Sequence, residues 1–297
     1  MSAVRDLLSP SRLTHVVNIG ANPFDAGDGP PYRQMLEAGL CHVTGFEPER
    51  EAFDLARQAC GPNESCLPYA VGDGNPHILR VCSAASGMTS LLEPDPIALQ
   101  VFHSLQPFGE VIERVPIDTR RLDDIDEIEY LDFLKIDIQG SELAVFQNGQ
   151  CKLAEAVAIQ TEVPFVTIYQ NQPTLADIES ELRRQGFIPH CLAELKKWAV
   201  GQFSWKGDFR CGLNQLLEAD IVYVRDFTQP DFMTDDQLKQ LALVVHHCYG
   251  SWDVALLCIE LLEHRRAVET GSGQRYLELI NTKAPPYAEP LVFRRGF

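Results

Sequence analysis

The chain has 297 residues, 45% of them apolar, which suits one large or two modest domains with a sizeable core. Its 42 acidic residues outnumber 25 Lys and Arg, and a net charge of −17 argues against a nucleic-acid backbone as partner, since phosphates would be repelled. No apolar run nears the ~18 residues that a membrane span needs, so no membrane partner is expected. Nine cysteines without a Cys-x-x-Cys pair or a secretory leader read as reduced thiols in a cytoplasm.

After a polar lead to Arg12, residues 15–20 form a short β-rich run that ends in Gly20. The stretch ANPFDAGDGPPY that follows is a loop by composition, and residues 32–38 resume as a short helix stopped by Gly39. Backbone N–H groups at such a turn can receive the polar groups of a ligand. The spacing matches neither a dinucleotide nor a nucleoside-triphosphate fingerprint. Residues 42–46 are a second strand running into Glu47-Pro48. An acid there is placed to hold both hydroxyls of a ribose, or else to open the next helix. Residues 66–71 are a third strand closed by Gly72-Asp73-Gly74, where Asp73 either reaches a base edge or holds the turn.

Residues 77–82 and 87–92 read as extended segments over the sheet, and 110–117 as another strand leading to a short helix through Leu122 and Ile125. Residues 131–149 are the most informative stretch. The apolar run Leu131, Phe133, Leu134, Ile136, Ile138 carries Lys135 and Asp137, breaks at Gly140, and resumes at helical spacing through Leu143, Val145 and Phe146. Such runs are strands buried on both faces of a parallel sheet. Lys135 and Asp137, two apart, share one face, and Asp137 stands at the carboxyl end, where ligands bind in open α/β sheets. Residues 156–161 form the next parallel strand, ending in Glu162. A helix capped by Thr174 and stopped by Gly186 follows, then strands at 187–191 and 220–224. Alternating strands and helices predict a doubly wound, mostly parallel sheet. From Thr234 two apolar-striped segments, joined at Tyr249-Gly250-Ser251, predict an αα-hairpin that covers the sheet or a second copy of the chain, so a homo-oligomer through these helices is an expectation. The division expected is residues 1–228 as the α/β sheet domain and 229–297 as a helical extension with an extended, proline-bearing end. His246, His247 and His264 lack the company of a metal site.

Three motifs carry a resemblance: Asn18-Ile19-Gly20-Ala21-Asn22, Phe46-Glu47-Pro48, and the run from Leu134 through Lys135, Asp137, Gln139 and Gly140 to Glu142. Together with Thr161-Glu162-Val163 and Leu216-Leu217-Glu218-Ala219-Asp220, they make residues 12–225 similar to FkbM-family methyltransferases. The resemblance implies a class I, Rossmann-like fold, a seven-stranded sheet with one reversed edge strand. It also implies S-adenosylmethionine as cofactor and methylation of a hydroxyl on a sugar, glycan or other small natural product. On that basis Asn18, Gly20, Ala21 and Asn22 lie against the methionine moiety, Glu47 with Pro48 holds the ribose, Asp73 sits near the adenine, and Asp137 lies beside the methyl-donor end. Two departures stand out: Asn18 where the family usually has Asp, and Gln139 where Glu is common.

Methyl transfer to oxygen needs alignment of the acceptor and removal of its proton. Asp137, Glu162, Lys135 and Glu142 are the candidates for that chemistry. Glu142 also suits the first turn of a helix, and Lys135 flanked by carboxylates is a poor base. A divalent ion between Asp137 and Glu162 would rest on two carboxylates alone. The rival readings are another adenosyl-cofactor transferase, such as an aminopropyl transferase, and a non-catalytic interaction module on the same fold.

Overall fold

A computed structural model describes residues 3–20, 29–83, 87–208 and 212–281. The strands are β1 (Thr14–Ile19), β2 (Cys41–Phe46), β3 (Glu64–Leu67), β4 (Ala70–Gly72), β5 (Pro76–Cys82), β6 (Val111–Arg121), β7 (Phe133–Ile136), β8 (Ala158–Pro164), β9 (Phe187–Lys197) and β10 (Leu216–Arg225). Seven of them form one sheet in the order β3-β2-β1-β7-β8-β10-β9, and β4-β6-β5 form a small second sheet. All pairings from β3 to β8 are parallel, whereas β10 runs against both β8 and β9. The reversed strand therefore stands second from the edge, not at the edge. The fold is the doubly wound α/β architecture expected, with β7 and β8 buried along their whole length.

Pleat alternation divides the sheet residues between two helical layers. Val17, Ile19, Leu134, Ile136, Ile159 and Tyr223 pack with helices α5 (Glu142–Gln147), α6 (Gln150–Leu153) and α7 (Leu175–Arg184). Val16, Val43, Phe133, Ala158 and Val222 pack on the other side with α1 (Ala3–Leu8), α2 (Arg33–Glu37), α8 (Asp235–Tyr249), α9 (Trp252–His264) and α10 (Ser272–Asn281). Helix α3 (Arg50–Ala59) precedes β3, and α4 (Pro96–Val101) joins a third apolar cluster around Phe102 and Tyr169.

The C-terminal helices are part of the sheet's own core. Leu238, Leu241 and Val245 of α8 lie in one cluster with Val16 and Phe133. Thr14 donates to the Gln240 side chain at 2.7 Å, and Tyr249 donates to Gln160 at 2.9 Å. Capping boxes start α7 at Thr174 with Asp177 and α8 at Thr234 with Gln237. Among the described residues no helix is long and apolar enough to cross a membrane.

Several boundaries differ from those the sequence suggests. The third strand splits, because Pro68 lacks the N–H that would continue the ladder; Ala70–Gly72 then pairs with β6 instead. Strand β6 runs on through Asp118-Thr119 to Arg121, and the expected short helix is a single 3-10 turn at Leu122–Asp124. Helices α4 and α10 had no counterpart in the pattern.

Candidate active site

The order of strands reverses between β1 and β7, and ligands of open α/β sheets bind at the carboxyl ends flanking such a point. A cleft of about 460 Å³ opens there. Gly20, Glu47, Pro48, Asp137, Ile138 and Gln139 line its sheet side, and Val71, Leu79, Leu91 and Ile117 supply an apolar wall from the accessory sheet and its flanking segment.

Gly20 has φ +81°, and a Cβ there would lie 1.8 Å from the Asp137 carbonyl oxygen. Only glycine meets both demands. The close approach brings the end of β1 against the end of β7. Asn18, one turn of the pleat earlier, donates to the Tyr32 hydroxyl at 2.6 Å, and its buried carbonyl oxygen has no hydrogen-bond partner among the described residues. Ala21 and Asn22 lie outside the described residues.

The two acids after β2 have separate work. Glu49 caps α3 by accepting the N–H groups of Glu51 and Ala52. Glu47 accepts the Glu49 N–H with one oxygen, at 2.9 Å, and its side lines the cleft. Asp73 does not line the cleft. It accepts hydrogen bonds from Asn75 and from His77 at 2.8 Å, and these outweigh burial and hold its carboxyl well below the usual range. These bonds hold the turn, one of the two roles the sequence offers Asp73.

Beyond β7 the four expected catalytic side chains take different places. Asp137 lines the cleft. Burial raises its pKa, against the ammonium charges of Lys135 and Lys196. Glu162 is buried behind it; burial, then the Asp137 and Glu218 carboxylates, push it up. Its Oε1 accepts from Lys196 at 2.7 Å, and Lys196 donates also to Glu218 at 2.9 Å. Burial works to lower Lys196, but these two carboxylates hold it above the ordinary lysine value, so it is charged.

The Gln139 amide nitrogen lies between the two carboxyls, 2.7 Å from Asp137 Oδ1 and 3.0 Å from Glu162 Oε2. It fills the space between Asp137 and Glu162 where a bridging ion would sit, and among the described residues no group of three or more His, Cys, Asp or Glu could hold a metal. Glu142 is not at the cleft. It turns back so that Oε1 accepts the N–H groups of Ile138 and Gly140, and burial raises its pKa to about 7. It shapes the loop. Lys135 is buried within β7, level with Asn18 on β1 and Gln160 on β8, below the cleft floor.

Gln139, Tyr169, Lys196 and Glu218 were not among the expected site residues. Gln139 stood out only as a departure from the family, and Lys196, in a Lys-Lys pair on an edge strand, resembles an ordinary solvated charge.

The cleft fits an adenosyl sulfonium cofactor by its own residues. Three acids, Glu47, Glu49 and Asp137, line a volume typical of a small-ligand site, Glu47 suited to hydroxyls and Asp137 to a cation, beside an apolar wall for a base. Residues 18–189 match the methyltransferase FkbM domain, more than half of the chain. Among solved structures the chain is similar to magnesium protoporphyrin IX methyltransferase from Synechocystis PCC 6803, with bound S-adenosylmethionine. That match has 12% identity and a TM-score of 0.35, and covers 75% of this chain and 76% of that one. A TehB-like methyltransferase from Corynebacterium glutamicum matches at 11% identity and a TM-score of 0.32, over 75% of this chain and 85% of that one. No curated protein matches. With its glycine turn, strand-end acids and domain match in one stretch, the chain belongs to the FkbM methyltransferase family.

Proposed function

We propose that the protein is an O-methyltransferase acting on a hydroxyl of a sugar, glycan or other small natural product, with Asp137 as the proton acceptor. The observation that carries this reading is Asp137 in the lining of the cleft that Gly20 and Glu47 also line. S-adenosylmethionine, when bound, supplies a methyl group already activated by the sulfonium. The chain's own residues then have three tasks. Glu47 holds ribose hydroxyls, and the wall of Val71, Leu79, Leu91 and Ile117 takes the base and excludes water. Asp137 accepts the acceptor's proton on the carboxylate oxygen not engaged by Gln139. Raising a carboxylate's pKa by burial strengthens it as a base near neutral pH. Glu162, behind the Gln139 amide and beside Lys196, holds Asp137 in place.

The test is transfer of a labelled methyl group from S-adenosylmethionine to a panel of glycosides and small polyols, with wild type and Asp137→Asn. Asp137→Asn should bind the cofactor and lose at least ~10²-fold in turnover, the lower end of general-base contributions. Full turnover in Asp137→Asn would remove it from the mechanism. Cofactor binding with transfer of an aminopropyl group, or no binding at all, would favour the rival readings.

A further inference from the structure

We infer that Gln139 is a positioning residue: its side-chain amide clamps the Asp137 and Glu162 carboxylates together and so sets the proton affinity of the base. The inference rests on the reading of Asp137 as base only for its consequence in turnover; the clamp itself is geometric. One nitrogen with two hydrogens meets two carboxylates, at 2.7 and 3.0 Å. The opposite amide orientation would point a carbonyl oxygen at two acids. The observed one points it at the Tyr169 hydroxyl, which donates at 3.1 Å. Tyr169 is buried, and burial followed by the Glu162 charge holds its phenol protonated, so it remains a donor.

The backbone is fixed around the same residue. Gln139 has φ +57°, a left-handed conformation that costs a side-chain-bearing residue energy and persists where surroundings impose it. They do so on three sides. Ser90 donates to the Gln139 carbonyl at 2.7 Å, and Glu142 gathers the N–H groups of Ile138 and Gly140 on either side. Gly140 follows at φ +101°. If this position needed only a left-handed residue, asparagine or glycine would serve better than glutamine. The length of glutamine is what reaches both carboxylates.

The clamp has an electrostatic result. Two buried carboxylates side by side disfavour each other's ionisation, and N–H donors shared between them offset part of that. Lys196 neutralises Glu162 from behind, and Glu218 in turn holds Lys196. What is left is an Asp137 carboxylate steadied on Oδ1 by the Gln139 amide.

The experiment is an infrared titration of the full chain labelled with carbon-13 at the Asp and Glu carboxyls. Asp137→Asn and Glu162→Gln assign the bands, and Gln139→Asn is the test variant. Asparagine tolerates the left-handed backbone, so the variant should still fold, with its thermal midpoint lowered by the lost hydrogen bonds. One methylene shorter, it cannot span both carboxylates, so the pair's protonation midpoint should rise by at least about one pH unit, a tenfold gain in proton affinity. An unchanged midpoint in a folded Gln139→Asn overturns the clamp. The titration uses neither cofactor nor acceptor, so a protein that transfers no methyl group can still pass it, and the two ideas fail separately.

Discussion

The Glu142 carboxylate reaches back over the turn before its own helix and accepts the Ile138 N–H at 2.9 Å and the Gly140 N–H at 3.2 Å with the same oxygen. It is 2% exposed, and burial lifts its pKa from 4.5 to about 7. In the unfolded chain it ionises near the ordinary value. The stabilisation linked to this group is therefore full below pH 4.5 and is lost as pH rises through about 7. Glu142→Gln keeps the accepting oxygen without a titration. Between pH 5 and 8, chemical denaturation should move in the variant's favour by on the order of 3 kcal/mol. Parallel pH profiles for wild type and Glu142→Gln would refute this linkage.

Glu47 and Glu49 should separate in their effects. Glu47→Ala should weaken S-adenosylmethionine binding by about 1–3 kcal/mol in calorimetry, the loss expected for charged hydrogen bonds, and leave the melting temperature nearly unchanged. Glu49→Ala should do the reverse, loosening α3 with little effect on affinity, because its carboxylate is spent on the Glu51 and Ala52 N–H groups. Equal affinities in wild type and Glu47→Ala would end the ribose assignment.

Gly20→Ala should disrupt the site before it unfolds the sheet. Its Cβ would meet the Asp137 carbonyl and its φ is left-handed, a strain of roughly 1–2 kcal/mol before any clash. The expected outcome is a folded protein, by circular dichroism, that binds the cofactor at least tenfold more weakly. Unaltered binding would show that β1 and β7 can separate without cost.

Arg225 should be a strong stability determinant far from the cleft. Its guanidinium donates to the carbonyls of Ala154, Ala156 and Gln185, closing the C-terminal ends of α6 and α7, and lies 4.0 Å from the Phe187 ring centre. Arg225→Met leaves the Ala156 and Gln185 carbonyls without this donor, while Ala154 keeps the Gln237 amide at 3.0 Å, and a loss of ~3 kcal/mol in urea unfolding is expected. Less than ~1 kcal/mol would mean that water replaces the guanidinium.

Deleting residues 230–281 should give an aggregating chain, since α8 covers Val16, Phe133 and Val222 on the sheet. A soluble, cofactor-binding product of that deletion would show the helices to be dispensable.

The parts of this molecule that could be read in advance are those written in local order. The strand and helix around Asp137 announce themselves by an apolar run that changes period at Gly140, and α7 and α8 by their caps. Helix α10 was missed because Gly271, Ser272 and Gly273 look like a turn, although Tyr276, Leu277 and Ile280 sit at helical spacing. Helix α4 carries a start signal in Asp95-Pro96, but it is short and stands outside the segments with a clear period. Asp137 is legible as a strand end because that is a local fact, whereas Glu162, expected at a strand end, lies inside β8, which runs on to Pro164 through its pairing with β10. Tyr169 and Lys196 are not legible in this way, for they reach Gln139 and Glu162 only through the packing of distant loops and an edge strand.

The apolar cluster on the α8 side runs from Val4 and Leu8 to Tyr276 and Ile280. During synthesis the first helix therefore waits for the last one. A nascent chain can pair β1 with β2 early, but that face of the sheet stays uncovered until α8 to α10 have left the ribosome. Closing so long a loop adds little entropy per residue, yet it prolongs the exposed interval until α10 has been made. Chaperone contact should peak in that interval, and crosslinking to ribosome-stalled chains ending before and after α10 would record whether it does.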